Sequence, residues 1–408
     1  MAKSAIQGFS SKRLRRIDRF LQDRYVAPGR LPCAQFLLAR YGKLVHRTTL
    51  GLRDVERGAP CEEDTVFRIY SMTKPVTSVA LMTLVEEGLV ALDDPVSKHI
   101  PAWADLGVYA GGVDGAFQTT PPDRPMLVAD LLRHTAGLTY GFQERTNVDA
   151  AYRALKVDDI HKGFDLEGFV QALGGLPLEF SPGEAWNYSV ATDVVGYLVQ
   201  KIAGKPLDEA LKERIFDPLK MVDTGFFVRP DQVSRFAACY SATAEGGLKL
   251  VDDPQKSPFL KPPRLLSGGG GLISTADDYL RFTAMLLNGG ELEGARILAP
   301  ATLRLMTANH LPGGADLTEL SRSLFSESAY AGVGFGLGFA VAFDPVKALS
   351  LSSPGEFYWG GMASTAFWVD PVEQVTAVFM TQLLPSSAYA VRRELRTLTY
   401  AALMETDA

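Results

Sequence analysis

The strongest constraint on the fold of this chain is the position of its strand-like segments. Three short runs, Pro32 to Ala39, Gly42 to Leu50 and Thr65 to Ile69, lie near the start, and four more, Phe335 to Phe343, Glu356 to Trp359, Ala363 to Val369 and Gln374 to Thr381, lie near the end. Gly and polar turns separate them, with Tyr41-Gly42-Lys43 as a hairpin tip and Asp370-Pro371 as a turn. The sequence between reads as loops and helices, among them Leu127 to His134, Leu166 to Leu173, Ala191 to Ile202, Leu207 to Ile215 and Asp278 to Leu287. One sheet must therefore be built from both chain ends, with the middle an excursion. Residues 1–95 and 245–408 are expected to form the sheet domain and 96–244 a helical domain.

Composition narrows the function. The 408 residues are 47% hydrophobic with a formal charge of −6, so nucleic acid and anionic membranes are poor partners. No apolar run reaches membrane-spanning length. Met1 to Arg30 lacks an apolar core ahead of a cleavage site and reads as a helix with Leu14, Ile17, Phe20, Leu21 and Tyr25 on one face, which implies a cytoplasmic protein. Cys33, Cys61 and Cys239 are odd in number and widely spaced, as reduced thiols are, and the five histidines form no His-x-x-x-His pair. Neither a metal nor a cofactor is expected.

Ser71-Met72-Thr73-Lys74 is the one Ser-x-x-Lys in the chain. Pro75 follows it, and proline is tolerated only in the first turn of a helix, where its missing N–H would lack an intrahelical partner anyway. Val79, Ala80, Leu81, Leu84 and Val85 then recur at helical spacing up to Gly88. Ser71 therefore sits at a helix N-terminus, where free N–H groups and the dipole favour an oxyanion, and Lys74 lies one turn away on the same face. On so apolar a helix Ser71 and Lys74 are either an N-cap and a snorkelling, solvated cation or a nucleophile and a base, since a buried Lys can have its pKa lowered toward that of a general base.

Three other stretches bear on the chemistry. Ser181-Pro182-Gly183 leads to Tyr188 at the start of the helix from Ala191, a second candidate base. Tyr358-Trp359-Gly360-Gly361-Met362 puts two glycines in a strand-like run, which fits either a substrate lying along an edge strand or a bulge beside a core Trp. His134, three residues before the terminating Gly137, reads as a helix-capping residue rather than a base. Ser267 to Gly271 has four glycines but no Gly-Lys-Ser/Thr, so it is no phosphate cradle but reads as a close backbone approach to another element, and both it and the helix cap Ser274-Thr275-Ala276-Asp277 are structural features.

The order Ser71-x-x-Lys74, Tyr188-Ser189-Val190, Trp359-Gly360-Gly361 resembles the serine β-lactamase-like hydrolases of the class C type, a group with penicillin-binding proteins, family VIII carboxylesterases and some acyltransferases. Leu131 to Leu138 and Gly270 to Thr275 extend the similarity, which runs from about Arg16 to the C-terminal helix. The resemblance implies an α+β fold: an antiparallel sheet from both chain ends flanked by helices, plus a helical domain from the middle. It implies Ser71 as the acylated nucleophile, Lys74 as the group that holds or takes its proton and Tyr188 as general base. The N–H groups of Ser71 and Met362 would form the oxyanion hole, and Trp359, Gly360 and Gly361 would line the substrate.

Two departures matter. Val190 stands where the lactamases carry the Asn of Tyr-x-Asn, and Trp359 where they carry the Lys of Lys-Thr-Gly. That Lys would face a β-lactam carboxylate in a charged hydrogen bond worth about 1.5–3 kcal/mol. Its absence, and the Trp-Gly-Gly variant, resemble family VIII carboxylesterases and imply short-chain ester substrates with at most weak β-lactam hydrolysis. A β-lactamase or peptidase, an acyltransferase and a non-catalytic acyl sensor are the alternatives.

Overall fold

Eight strands form the central sheet in a computed structural model that describes residues 5–161, 163–322 and 330–405. They are β1 (Cys33–Arg40), β2 (Lys43–Asp54), β3 (Ala59–Pro60), β4 (Val333–Phe335), β5 (Ala340–Ala342), β6 (Glu356–Gly360), β7 (Ala366–Asp370) and β8 (Val375–Met380). The spatial order is β4-β5-β6-β7-β8-β1-β2-β3, antiparallel throughout. The two chain ends meet where β8 pairs with β1, Val375 opposite Arg40 and Met380 opposite Gln35.

Side chains alternate across the pleat, so each central strand serves two cores. On one face Phe36, Leu38, Trp368, Ala377 and Phe379 join Leu14, Ile17 and Leu21 of α1 (Ser11–Leu21) and Leu395 of the C-terminal helix. On the other, Leu37, Phe367, Val369, Val378 and Met380 join the apolar residues of α2 (Thr73–Glu86) and the Tyr279 and Phe282 rings of a later helix. Helix α2 is buried on every side from Thr73 to Leu84 and packs on α3 (Ala191–Ala203), part of the helical middle region. That later helix is α4 (Ala276–Leu287), and the C-terminal one is α5 (Val391–Ala402). Helix α3 stops at Gly204, which takes the left-handed conformation at φ 67° that a helix-ending glycine adopts without strain.

Some segments differ from their expected form. Phe335 to Phe343 is not one strand but the hairpin β4–β5: Gly338 has φ 98°, and a side chain on Gly336 would collide with the Met306 carbonyl. Thr65 to Ile69 contributes only Phe67–Arg68, which pairs with Ile273–Ser274 outside the main sheet. Strand β7 starts at Ala366 rather than Ala363 because Gly361 to Ser364 forms a turn. The Leu207 helix is regular only to Leu211, with a wider turn continuing to Phe216.

Arg68 anchors the approach to Ser71. Fully buried, it donates from Nε to Asp252 Oδ2 (2.7 Å) and from Nη1 to the Ala237 carbonyl (2.6 Å), with its guanidinium 3.9 Å from the centre of the Phe236 ring. Arg68→Met would strip the Asp252 carboxylate of its cation. We predict a loss of about 3 kcal/mol, the lower end for a broken buried pair because Asp252 keeps some contact with water. A urea midpoint equal to that of the native chain would refute this.

Candidate active site

The nucleophile candidate lies in a tight turn, Tyr70–Met72, immediately before α2. The Met72 N–H donates to the Ile69 carbonyl (3.0 Å), and Tyr279 donates to the Met72 carbonyl (2.8 Å). Tyr70 is held at φ 42°, a left-handed conformation that costs a non-glycine residue about 1–3 kcal/mol. Pro75 occupies the third position of α2, within the first turn, which is why the helix starts where it does.

Lys74 points from α2 into the contact between the sheet and the helical region. Its Nζ donates to Ser71 Oγ (3.3 Å), Tyr140 Oη (3.0 Å) and the Gly269 carbonyl (2.7 Å). All three ammonium hydrogens are thus used at a side chain only 2% exposed. Burial pushes its pKa down from 10.5 to about 7, and the Asp193 carboxylate opposes that fall.

Tyr188, also buried, donates from Oη to Ser71 Oγ (2.6 Å), and Lys74 Nζ stands 4.4 Å from the centre of its ring. Burial raises the phenol pKa, with the Ser71 hydrogen bond acting the other way, so Tyr188 is a phenol at neutral pH. Backbone bonds fix this segment: Asn187 N–H to the His134 carbonyl (3.0 Å) and Val190 N–H to the Thr139 carbonyl (3.2 Å).

His134 ends its helix as expected, with the Thr135 N–H donating back to the Asp130 carbonyl (2.9 Å) around it. The helix spans only Val128–Leu132, and His134 itself takes the left-handed turn at φ 57°, ahead of Gly137. Its Nδ1 lies 3.1 Å from Ser189 Oγ, and its ring is wedged against Tyr188 (5.1 Å) and Phe335 (5.5 Å). Burial and the Lys74 charge drive its pKa well down, so it remains a neutral wall behind Tyr188.

Three residues next to Lys74 escaped the sequence reading. Tyr140 had no local signal. Asp193, in the first turn of an apolar helix, looks from sequence like a dipole partner; it is buried and accepts from Ser267 Oγ (2.5 Å) and Gly269 N–H (3.0 Å). The glycine run is therefore more than structural, because it delivers the Gly269 carbonyl to Lys74. A Cβ on Gly269 would stand 2.5 Å from Asp193 Oδ2.

Trp359 and Gly360 extend β6 past Tyr358, the last residue paired with β5, so the segment has an open side although β6 is not an edge strand. The Trp359 ring packs on Tyr188 and Phe335, each at 5.4 Å. The two glycines serve close contacts within the protein. A Cβ on Gly361 would collide with the Ile69 carbonyl, and one on Gly360 would stand 2.7 Å from Arg392 Cζ. Met362 is the second residue of a turn closed by Ser364 N–H to the Gly361 carbonyl (3.1 Å), a position whose own amide makes no bond inside the turn.

A cavity of about 520 Å³ opens over Ser71 and Tyr188, walled by Trp359, Met362, Phe142 and Leu265 among others. Among the described residues no group of His, Cys, Asp and Glu is arranged to hold a metal ion, and no helix is long and apolar enough to cross a membrane.

Residues 18–401 match the Beta-lactamase family profile. The chain belongs to the Beta-lactamase family. Within it, the chain is 37% identical to Protein Rv1367c of Mycobacterium tuberculosis (88% of this chain, 87% of the relative). It is 30% identical to Esterase EstB of Burkholderia gladioli (88% of this chain, 88% of the relative). Among solved structures, EstCE1, described as a hydrolase with promiscuous acyltransferase activity, superposes with a TM-score of 0.80 at 27% identity, covering 97% of this chain and 98% of that one. The family thus places the chain among serine-hydrolase-fold enzymes, close to the esterase and acyltransferase branch.

Asp193 is the carboxylate that favours the Lys74 ammonium, so removing its charge should lower the Lys74 pKa further. We predict, by NMR titration of isotope-labelled Lys74, a midpoint near 7 in the native protein and a lower one in Asp193→Asn. A native midpoint near the ordinary 10.5, or an upward move in the variant, would show that burial does not govern this group.

Proposed function

We propose that this protein is a serine carboxylesterase that hydrolyses short-chain carboxylic esters through an acyl-enzyme at Ser71. The observation that carries the reading is that Ser71 Oγ lies within hydrogen-bond reach of both Tyr188 Oη (2.6 Å) and Lys74 Nζ (3.3 Å) at the floor of a cavity.

In acylation Ser71 Oγ attacks the ester carbonyl carbon and its proton passes to the Lys74/Tyr188 pair. The oxyanion is held by the Ser71 and Met362 N–H groups. Collapse of the tetrahedral intermediate breaks the bond to the alkoxide oxygen, which leaves as alcohol with the proton from the pair. Water repeats the sequence on the acyl-enzyme, releasing acid and restoring Ser71. Of the two basic groups, Lys74 is the one with a large neutral fraction near pH 7, and its lone pair can accept from the Ser71 hydroxyl. The two titrate as a coupled pair.

Neutral esters suit the site. Trp359 supplies an apolar wall where a lactamase Lys would bind a carboxylate, and the esterase description of EstB favours the same substrate class. Transfer of the acyl group to an alcohol is the second reading, favoured by a cavity large enough for an acceptor and by the acyltransferase activity in the description of EstCE1.

Nitrophenyl esters of increasing chain length test the reading. Short-chain esters should react fastest, kcat/KM should rise with pH through about 7 as Lys74 loses its proton, and Ser71→Ala should lose on the order of 10⁴-fold or more. Undiminished hydrolysis by Ser71→Ala would sink the mechanism, and a larger kcat/KM on a chromogenic cephalosporin would overturn the ester assignment.

A further inference from the structure

Arg392 is the second residue of α5, where the helix dipole disfavours a cation. Its guanidinium nevertheless lies across the end of β6, in the wall of the active-site cavity. Nη2 donates to the Gly361 carbonyl (2.5 Å) and to the Thr365 carbonyl (3.0 Å). Those two residues are also tied to each other, Gly361 N–H donating to the Thr365 carbonyl (2.9 Å). The residues between them, 362–364, are the turn that presents the Met362 amide. Gly360 leaves room for the guanidinium, since a Cβ there would stand 2.7 Å from Arg392 Cζ and 2.8 Å from the Thr365 carbonyl.

We propose that Arg392 is a positioning residue for the oxyanion hole: its guanidinium clamps both ends of the Gly361–Thr365 turn and so sets where the Met362 N–H points. The inference rests on the esterase reading above. Both bonds come from Nη2, whose two N–H groups are fixed at a set angle in the guanidinium plane; a freely rotating ammonium on a shorter stem lacks that fixed pair, so Lys is a poor substitute. Its charge also opposes the rise in the Tyr188 pKa, a second influence on the same centre. The clamp explains why an arginine occupies a helix start that local electrostatics resists, and why the residue before Gly361 is itself a glycine.

The test compares native protein, Arg392→Met and Arg392→Lys on nitrophenyl butyrate and its thionoester, whose sulfur accepts hydrogen bonds poorly. A displaced oxyanion donor should lower kcat on the oxygen ester roughly 10- to 100-fold with KM changed little, and more in Met than in Lys. The thionoester should lose much less, so the oxygen-to-sulfur rate ratio narrows. Added ethylguanidinium should restore part of the ratio in Arg392→Met. An unchanged ratio in both variants, whether or not the urea midpoint falls, would overturn the positioning role. Ser71→Ala separates the two levels: if it is inactive while the ratio stays fixed, only the Arg392 role fails, whereas an active Ser71→Ala removes the esterase reading and the inference with it.

Discussion

The burial of one ammonium group is the constraint on which the centre of this molecule depends. Lys74 stands where the Tyr70–Met72 turn before α2, the helical middle region and the glycine run after residue 267 meet, and one acceptor comes from each: Ser71, Tyr140 and Gly269. Moving the group from an ordinary pKa of 10.5 to about 7 corresponds to a bias on the order of 5 kcal/mol toward its neutral form. Such a bias persists only when the surroundings are over-determined. Asp193 supplies the counterbalance, and by binding Ser267 and Gly269 it also locks the carbonyl that Lys74 uses.

The same economy of space governs the opposite wall. Gly360 and Gly361 lie at one end of a sheet strand because three groups converge there: the Ile69 carbonyl just before the Tyr70–Met72 turn, the Thr365 carbonyl and the Arg392 guanidinium. The strain at Tyr70, the turn at Gly361 and the start of α5 are thus parts of one assembly around Ser71. Behind Tyr188 an aromatic stack of His134, Trp186, Phe335 and Trp359 packs against its ring, and the burial that raises its pKa follows from that packing.

Much of the fold was legible because period and punctuation agreed. Short apolar runs bounded by turns mark the strands at the two ends, and the consecutive Phe36, Leu37 and Leu38 suit a strand with a core on each face. Pro75 marks the start of α2, and Gly204 the end of α3. Failures came where a close contact overrode local preference. The Gly336-Leu337-Gly338 step is a hairpin turn because Met306 approaches it, and the left-handed residue that ends the short helix is His134, three positions before the Gly137 that the sequence offers as its stop.

By itself the sequence determined the architecture, the family and the placing of Ser71 and Lys74 on one helical face, since these follow from residue type and spacing along a local backbone. It carried no trace of Tyr140, Asp193, the Gly269 carbonyl or Arg392 acting on a common centre. Tyr140 and Gly269 lie 66 and 195 positions along the chain from Lys74. Only the tertiary fold decides which of these groups meet around one site, and it is the burial of Lys74 there that turns a helical lysine into a group poised near neutral pH.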